Sequence, residues 1–150
     1  LANGEVTRAH YARYLVQIGK VSNDGQAFKR YLGGGKSCFV KAEWVDIPTA
    51  IDTIHAAGGV AIIAHPMRYN MTGKWIRRLI IDFKQWGGDG MEVADSGQTK
   101  DQRQYLARLA NEYDLAASLG SDFHFPCGWI ELGKNLFLPE EVKPIWTLFE

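Results

Sequence analysis

Three side chains stand out for the chemistry they could do together: His65, Asp122 and His124. Imidazole nitrogen and carboxylate oxygen are the donors that suit Zn, Mn or Fe. Asp122 and His124 are two residues apart, in Gly120-Ser121-Asp122-Phe123-His124. In extended backbone that spacing turns both side chains to one side. His65 stands alone in Ala64-His65-Pro66. On spacing alone a plainer reading is equally open, in which His65 caps a strand and Asp122 caps a turn. The metal reading needs the three donors at one rim, so it depends on the elements that carry them.

Those elements read as an alternation. Thr7 can cap a helix over 8–19, and a second helix over 24–32 stops at Gly33-Gly34-Gly35. Asp46 caps a third, with Pro48 in its first turn and Ile47, Ile51 and Ile54 as its stripe. Val60 to Ala64 is a short continuous apolar run, read as a strand buried on both faces. Helix follows over 74–86, with Trp75, Leu79, Phe83 and Trp86 inward, then strand over 91–94. A helix over 99–113 and a strand over 115–119 come next. Residues 134–138 read as extended, and 139–150 as a final helix. The tryptophans are assigned mainly to the core. Alternation of this kind implies parallel strands joined by right-handed helical crossovers. In such folds chemistry gathers at the C-terminal strand ends. His65 follows the first strand, Asp95 the second, and Asp122 and His124 the third.

Composition narrows the function classes. The 150 residues carry 17 Lys+Arg against 17 Asp+Glu, which excludes a basic nucleic-acid coat and an acidic tail. A hydrophobic share of 46% allows a packed core. No apolar run approaches the roughly 20 residues of a membrane span. Two cysteines, Cys38 and Cys127, are too few for a disulfide scaffold and suggest a reducing, cytosolic setting. Leu1-Ala2-Asn3-Gly4 reads as an entry into the middle of a longer chain.

The motifs resemble a known family. Ala64-His65-Pro66 followed by Gly120-Ser121-Asp122-Phe123-His124 is similar to the last two metal motifs of the PHP (polymerase and histidinol phosphatase) superfamily. Val6-Thr7-Arg8-Ala9-His10, Ile54-His55-Ala56-Ala57-Gly58-Gly59, His65-Pro66-Met67-Arg68-Tyr69 and Pro126-Cys127-Gly128-Trp129-Ile130-Glu131-Leu132-Gly133 resemble one bacterial branch of it. Members of that branch are 3′,5′-nucleoside bisphosphate phosphatases, also described as 5′-to-3′ exoribonucleases acting on short RNAs. The resemblance implies an α/β fold: residues 46–150 as the C-terminal part of a distorted (β/α)7 TIM-like barrel, preceded by a small helical segment over 1–45. It implies divalent metal ions, manganese first, with zinc, iron or magnesium as alternatives. It also implies hydrolysis of a nucleotide or short-RNA phosphoester by metal-activated water. His65, Asp122 and His124 match metal ligands. Arg8 and His10 fall on a motif associated with substrate phosphate, and Arg68 is a third contact. The pattern departs from the family in two ways. The family's opening paired-His motif and its other early ligands are absent from this sequence, so three of about nine ligands are present and the fragment alone is expected to be inactive. Met67 stands where the branch has Gly. A catalytically silent PHP-type module is the alternative.

Other features carry plainer readings. His55 reads as a partly buried packing histidine. Glu92 and Asp95 could each support a ligand from behind, with a turn or cap role the favoured reading, and Gly33-Gly34-Gly35-Lys36-Ser37 reads as a turn lacking phosphate-loop spacing. Lys74, Arg77 and Arg78 read as a solvated helix face. Cys127 lies three residues past His124, but a nucleophilic cysteine needs a base that the metal reading already claims.

Overall fold

A computed structural model of the chain describes residue 4, residues 6–124 and residues 130–149. The chain divides into two compact units, Leu1–Trp44 and Val45–Glu150.

The first unit is helical. Helix α1 spans Arg8–Gln17 and buries Ala12. Helix α2, Asp24–Ala27, is capped by Asn23, whose side chain accepts the Gln26 N–H at 3.0 Å, and it runs on as a π turn over Phe28–Leu32. Ala12, Val21, Ala27 and Leu32 form its small core, with Leu15, Val16, Phe28 and Tyr31 against it. The expected α1 stripe is only partly right: Tyr11, Tyr14 and Ile18 are exposed.

The second unit holds a three-stranded parallel sheet in the order β1-β2-β3. Its elements are α3 (Ile47–Ala56), β1 (Ile62–Ile63), α4 (Gly73–Gln85), β2 (Gly90–Asp95), α5 (Lys100–Glu112) and β3 (Ala116–Gly120). Asp46 caps α3 by accepting the Thr49 N–H at 2.9 Å. Thr99 caps α5 in a reciprocal capping box with Gln102. Met91 and Val93 of β2 pack in one core with Ile76, Ile80 and Phe83 of α4 and Leu106 and Leu109 of α5.

The alternation of helices with parallel strands is as the pattern predicts, but several details differ. Doubly buried character belongs to β2, whose six residues are all buried, because it is the central strand. In β1, by contrast, Ile62 is exposed, since β1 is flanked only by β2 among the described residues. In α4 the buried stripe is Ile76, Ile80 and Phe83, one position round from Trp75 and Leu79. Trp44, Trp75, Trp86 and Trp146 are exposed, and Trp129 lies outside the described residues.

The C-terminal expectation is also corrected. Residues 134 and 135 lie in a turn rather than extended, and among the described residues the final helix expected over 139–150 reduces to a 3-10 turn over Ile145–Leu148. Pro144 cannot donate inside a helix and biases Lys143 toward extended backbone. The free side of β3 captures this stretch instead: Ala117 N–H donates to the Lys143 carbonyl at 2.7 Å, in a parallel bridge to Pro144.

Between Glu92 and Ala94 the β2–β3 register slips by one residue, a β-bulge.

Candidate active site

The C-terminal strand ends carry the candidate residues. β1 ends at Ile63, and His65 then takes a left-handed backbone, φ 32° and ψ 56°. A non-glycine residue there is uncommon and must be held by its surroundings. The holding groups are visible. The His65 N–H donates to Glu92 Oε2 at 2.6 Å. The Tyr69 hydroxyl donates to the Ala64 carbonyl at 2.8 Å, and its ring meets the His65 ring edge-on at 6.0 Å. Pro66, buried, opens a 3-10 turn over Pro66–Arg68 that delivers Arg68 to the rim.

Asp122 also has a left-handed backbone, φ 53°, so the extended geometry expected for Asp122 and His124 does not occur. The two are brought together another way. His124 Nδ1 lies 2.8 Å from the Asp122 main-chain oxygen and 3.7 Å from Asp122 Oδ1. The His124 side chain is 72% exposed, whereas that of Asp122 is 23% exposed. Arg68 Nη1 donates to Asp122 Oδ2, and its Nε lies 3.9 Å from Asp95 Oδ2.

Asp95 is almost fully buried at the end of β2. Its Oδ1 accepts the Gly97 N–H at 2.7 Å and its own N–H donates to Gln98 Oε1 at 3.1 Å, so the turn role expected for it is correct. An open cleft of about 140 Å³ beside it is lined by Met67, Arg68, Asp95, Gly97, Gln98 and Gln102. Ser96 Oγ donates to the Ser121 carbonyl at 3.1 Å and ties the ends of β2 and β3 together.

Glu92 is more than the cap residue read from the sequence. It is buried within β2, and burial pushes its carboxyl above the usual range. The bond from the His65 N–H opposes that rise, Asp95 adds to it, the His65 charge opposes it and Asp122 adds to it. Glu92 therefore lies within electrostatic reach of groups on all three strand ends. A lone glutamate between Met91 and Val93 was the available sequence signal, because a charged residue inside an apolar central strand needs a reason.

His65 Nδ1 is buried and has no hydrogen-bond partner. An orphaned imidazole nitrogen, two imidazoles and a carboxylate are the donor chemistry a divalent metal takes. Among the described residues, however, no group of three or more His, Cys, Asp or Glu side chains is gathered to hold a metal ion. Asp122 and His124 come together; His65 does not join them in one cluster, and Arg68 occupies a carboxylate oxygen of Asp122. The donor types present suit a metal, but among the described residues they are not gathered round one point.

Arg8 and His10 lie on the first unit. Arg8 is exposed at the start of α1, and His10 Nδ1 accepts the Thr7 N–H at 3.1 Å, a helix-capping role. His55 Nε2 pairs with Asp89 Oδ2 at 2.8 Å, and its side chain is 39% exposed. Arg77 and Arg78 are held by Glu112 and Asp82, in keeping with a solvated face. Cys127 and the first half of the Pro126–Gly133 motif lie outside the described residues. Among the described residues no helix is long and apolar enough to cross a membrane.

No family model matches the chain. Among curated proteins it is 81% identical over 149 residues to a 5′-3′ exoribonuclease of Haemophilus influenzae, covering 99% of this chain and 54% of that protein. It is 50% identical over 147 residues to the 5′-3′ exoribonuclease Rnm of Escherichia coli, covering 98% of this chain and 50% of the relative. A 3′,5′-nucleoside bisphosphate phosphatase of Chromobacterium violaceum is 41% identical over 146 residues, at 97% and 51% coverage. Among solved structures, an amidohydrolase from Chromobacterium violaceum with bound sulfate and no metal superposes with TM-score 0.80 at 41% identity, over 95% of this chain and 49% of that one. A structure from Bifidobacterium adolescentis, assigned as a metal-dependent phosphoesterase, gives TM-score 0.71 at 27% identity, with 91% and 49% coverage. The chain spans about half the length of the curated relatives it matches. Over nearly all of its own length, then, the chain is a homologue of proteins named 5′-3′ exoribonuclease and 3′,5′-nucleoside bisphosphate phosphatase, and the PHP resemblance drawn from its motifs is in accord with that kinship.

Proposed function

We propose that this chain is part of a PHP-type phosphoesterase that hydrolyses 3′,5′-nucleoside bisphosphates, 5′-phosphorylated short oligoribonucleotides or both. The observation that carries the reading is the placement of His65 after β1 and of Asp122 and His124 after β3, with Arg68 beside them. The names of the relatives supply the substrate class. In this reading the three parallel strands and their crossover helices are the C-terminal part of a distorted (β/α)7 barrel, and the helical unit precedes it. The sparse cysteines favour the cytosol as its setting.

His65, Asp122 and His124 would hold divalent metal, manganese first. Such a metal, when bound, neutralises phosphate oxygens and lowers the pKa of water. The chain's own work is binding and orientation. Arg68 offers a planar fork that matches two phosphate oxygens. To do so it must exchange part of its hold on Asp122 for the substrate. Asp95, at 3.9 Å from its Nε, keeps the guanidinium at the rim during that exchange. Arg8 and His10 are assigned to phosphate by the resemblance alone; the capping bond of His10 leaves its Nε2 free of that role.

The test is phosphate release from both substrate classes by the full-length protein, with Mn²⁺ and with a chelator. Release with Mn²⁺ that stops on chelation supports the reading, and no release under either condition overturns it. A catalytically silent PHP-type module is the second reading, favoured by the closure of Asp122 by Arg68. Metal binding without turnover would select it.

A further inference from the structure

We infer that Glu92 is a positioning residue for His65, one whose carboxylate fixes the backbone from which that imidazole is presented. The inference rests on the reading of His65 as a metal ligand and goes beyond it.

Glu92 sits in a central strand with apolar neighbours, 8% exposed. A carboxylate in that place costs stability unless its oxygens are used. One oxygen is hydrogen-bonded and the other sits against the end of β3. Oε2 accepts the His65 N–H at 2.6 Å, a short charge-assisted bond. Oε1 lies against Gly120: a Cβ built on that glycine would stand 2.9 Å from it, closer than real side chains come. The lack of a side chain at Gly120 is what lets the carboxylate seat there. Glu92 therefore spans from the residue that follows β1 to the last residue of β3, two positions before Asp122.

The bond to His65 does something a ladder bond cannot. In regular pairing the His65 N–H would meet a main-chain carbonyl of β2 and keep the strand extended. A side-chain acceptor releases that requirement, and β1 ends at Ile63. His65 then turns left-handed at φ 32°, a conformation that a residue with a Cβ holds only when its surroundings over-determine it. Without the acceptor, His65 would be free to return to extended backbone, and its ring would leave the rim. Outer groups that fix a ligand's orientation typically change metal affinity by about 10–100-fold when removed.

The experiment is Mn²⁺ binding by calorimetry to the full-length protein and to four variants, each checked for folding by circular dichroism. Glu92→Leu removes the acceptor, and its Mn²⁺ affinity is expected to fall at least about tenfold. Glu92→Gln keeps an acceptor oxygen, and its affinity is expected to stay within about threefold of the parent, a rescue that loss of packing would not produce. Gly120→Ala crowds the carboxylate without touching Glu92 and is expected to weaken binding in the same direction as Glu92→Leu, by a smaller factor; it also serves if Glu92→Leu does not fold. His65→Ala separates the two layers of the argument. If it binds Mn²⁺ like the parent, the ligand reading fails and this inference falls with it. If it loses affinity while Glu92→Leu and Gly120→Ala do not, the inference alone is overturned. Equal losses in Glu92→Gln and Glu92→Leu would also overturn it, because the charge and not the acceptor would then be responsible.

Discussion

Arg68 and Asp122 meet across two loops that leave different strands: the guanidinium donates to Asp122 Oδ2 while its Nε stays near Asp95. Asp122 is thus a carboxylate shared between a candidate ligand role and a basic residue suited to phosphate. In the full-length protein, Arg68→Ala should raise KM for a phosphorylated substrate by about tenfold or more and leave kcat within about threefold. Arg68→Lys should restore little of the loss, because a point charge cannot reproduce the fork. Steady-state kinetics with a nucleoside bisphosphate check both, and an unchanged KM removes Arg68 from the site.

Asp122→Asn keeps the shape of the side chain but removes the negative charge. Turnover in the full-length protein should fall at least about a hundredfold, with the fold retained. Phosphate-release assays beside circular dichroism make the comparison. Retained activity would argue against Asp122 as a ligand.

Arg103 is 3% exposed, and its Nη2 donates to the carbonyls of Asp95 and Asn135 at 3.2 and 2.9 Å. Its guanidinium carbon lies 4.0 Å from the centre of the Phe137 ring. It ties the 135–137 stretch to the end of β2. Arg103→Ala should cost about 2–4 kcal/mol, since it leaves two carbonyls unpaired and opens a cavity. Denaturant unfolding measures the loss.

Asp46 supplies a pH test. Hydrogen bonds from the Thr49 side chain and backbone hold its carboxyl below the usual carboxylate range. A lowered folded value means that the cap's charge contribution is complete above the unfolded value, near pH 4, and is lost as pH falls through the folded value. Asp46→Asn can still accept the Thr49 N–H but does not titrate. Thermal melts between about pH 3 and 6 should show the parent losing this increment on acidification and the variant lacking it.

The alternation of elements and the strand ends bearing His65, Asp95 and Asp122 were legible because apolar runs and glycine breaks mark them locally. What was not legible depended on neighbours in space. In α4 both Trp75/Leu79 and Ile76/Ile80 satisfy helical spacing, and only the sheet beneath selects the second. Residues 139–150 have helical composition, yet Ala117 draws Lys143 and Pro144 to the sheet. The left-handed backbones of His65 and Asp122 were signalled only weakly, since Asp and His are enriched in that region but nothing local singles out these two. The importance of Glu92 lay in its contact with a residue 27 positions earlier.

The slipped pairing at Val93 has a geometric result for the two acids on β2. In an unbroken strand, residues three apart face opposite ways. With one extra residue accommodated between them, Glu92 reaches His65 while Asp95 reaches Arg68, at the same end of the sheet. A strand of the same length that paired regularly through Val93 would turn those two acids to opposite faces, so better sheet geometry and the present arrangement of acids are alternatives for this strand.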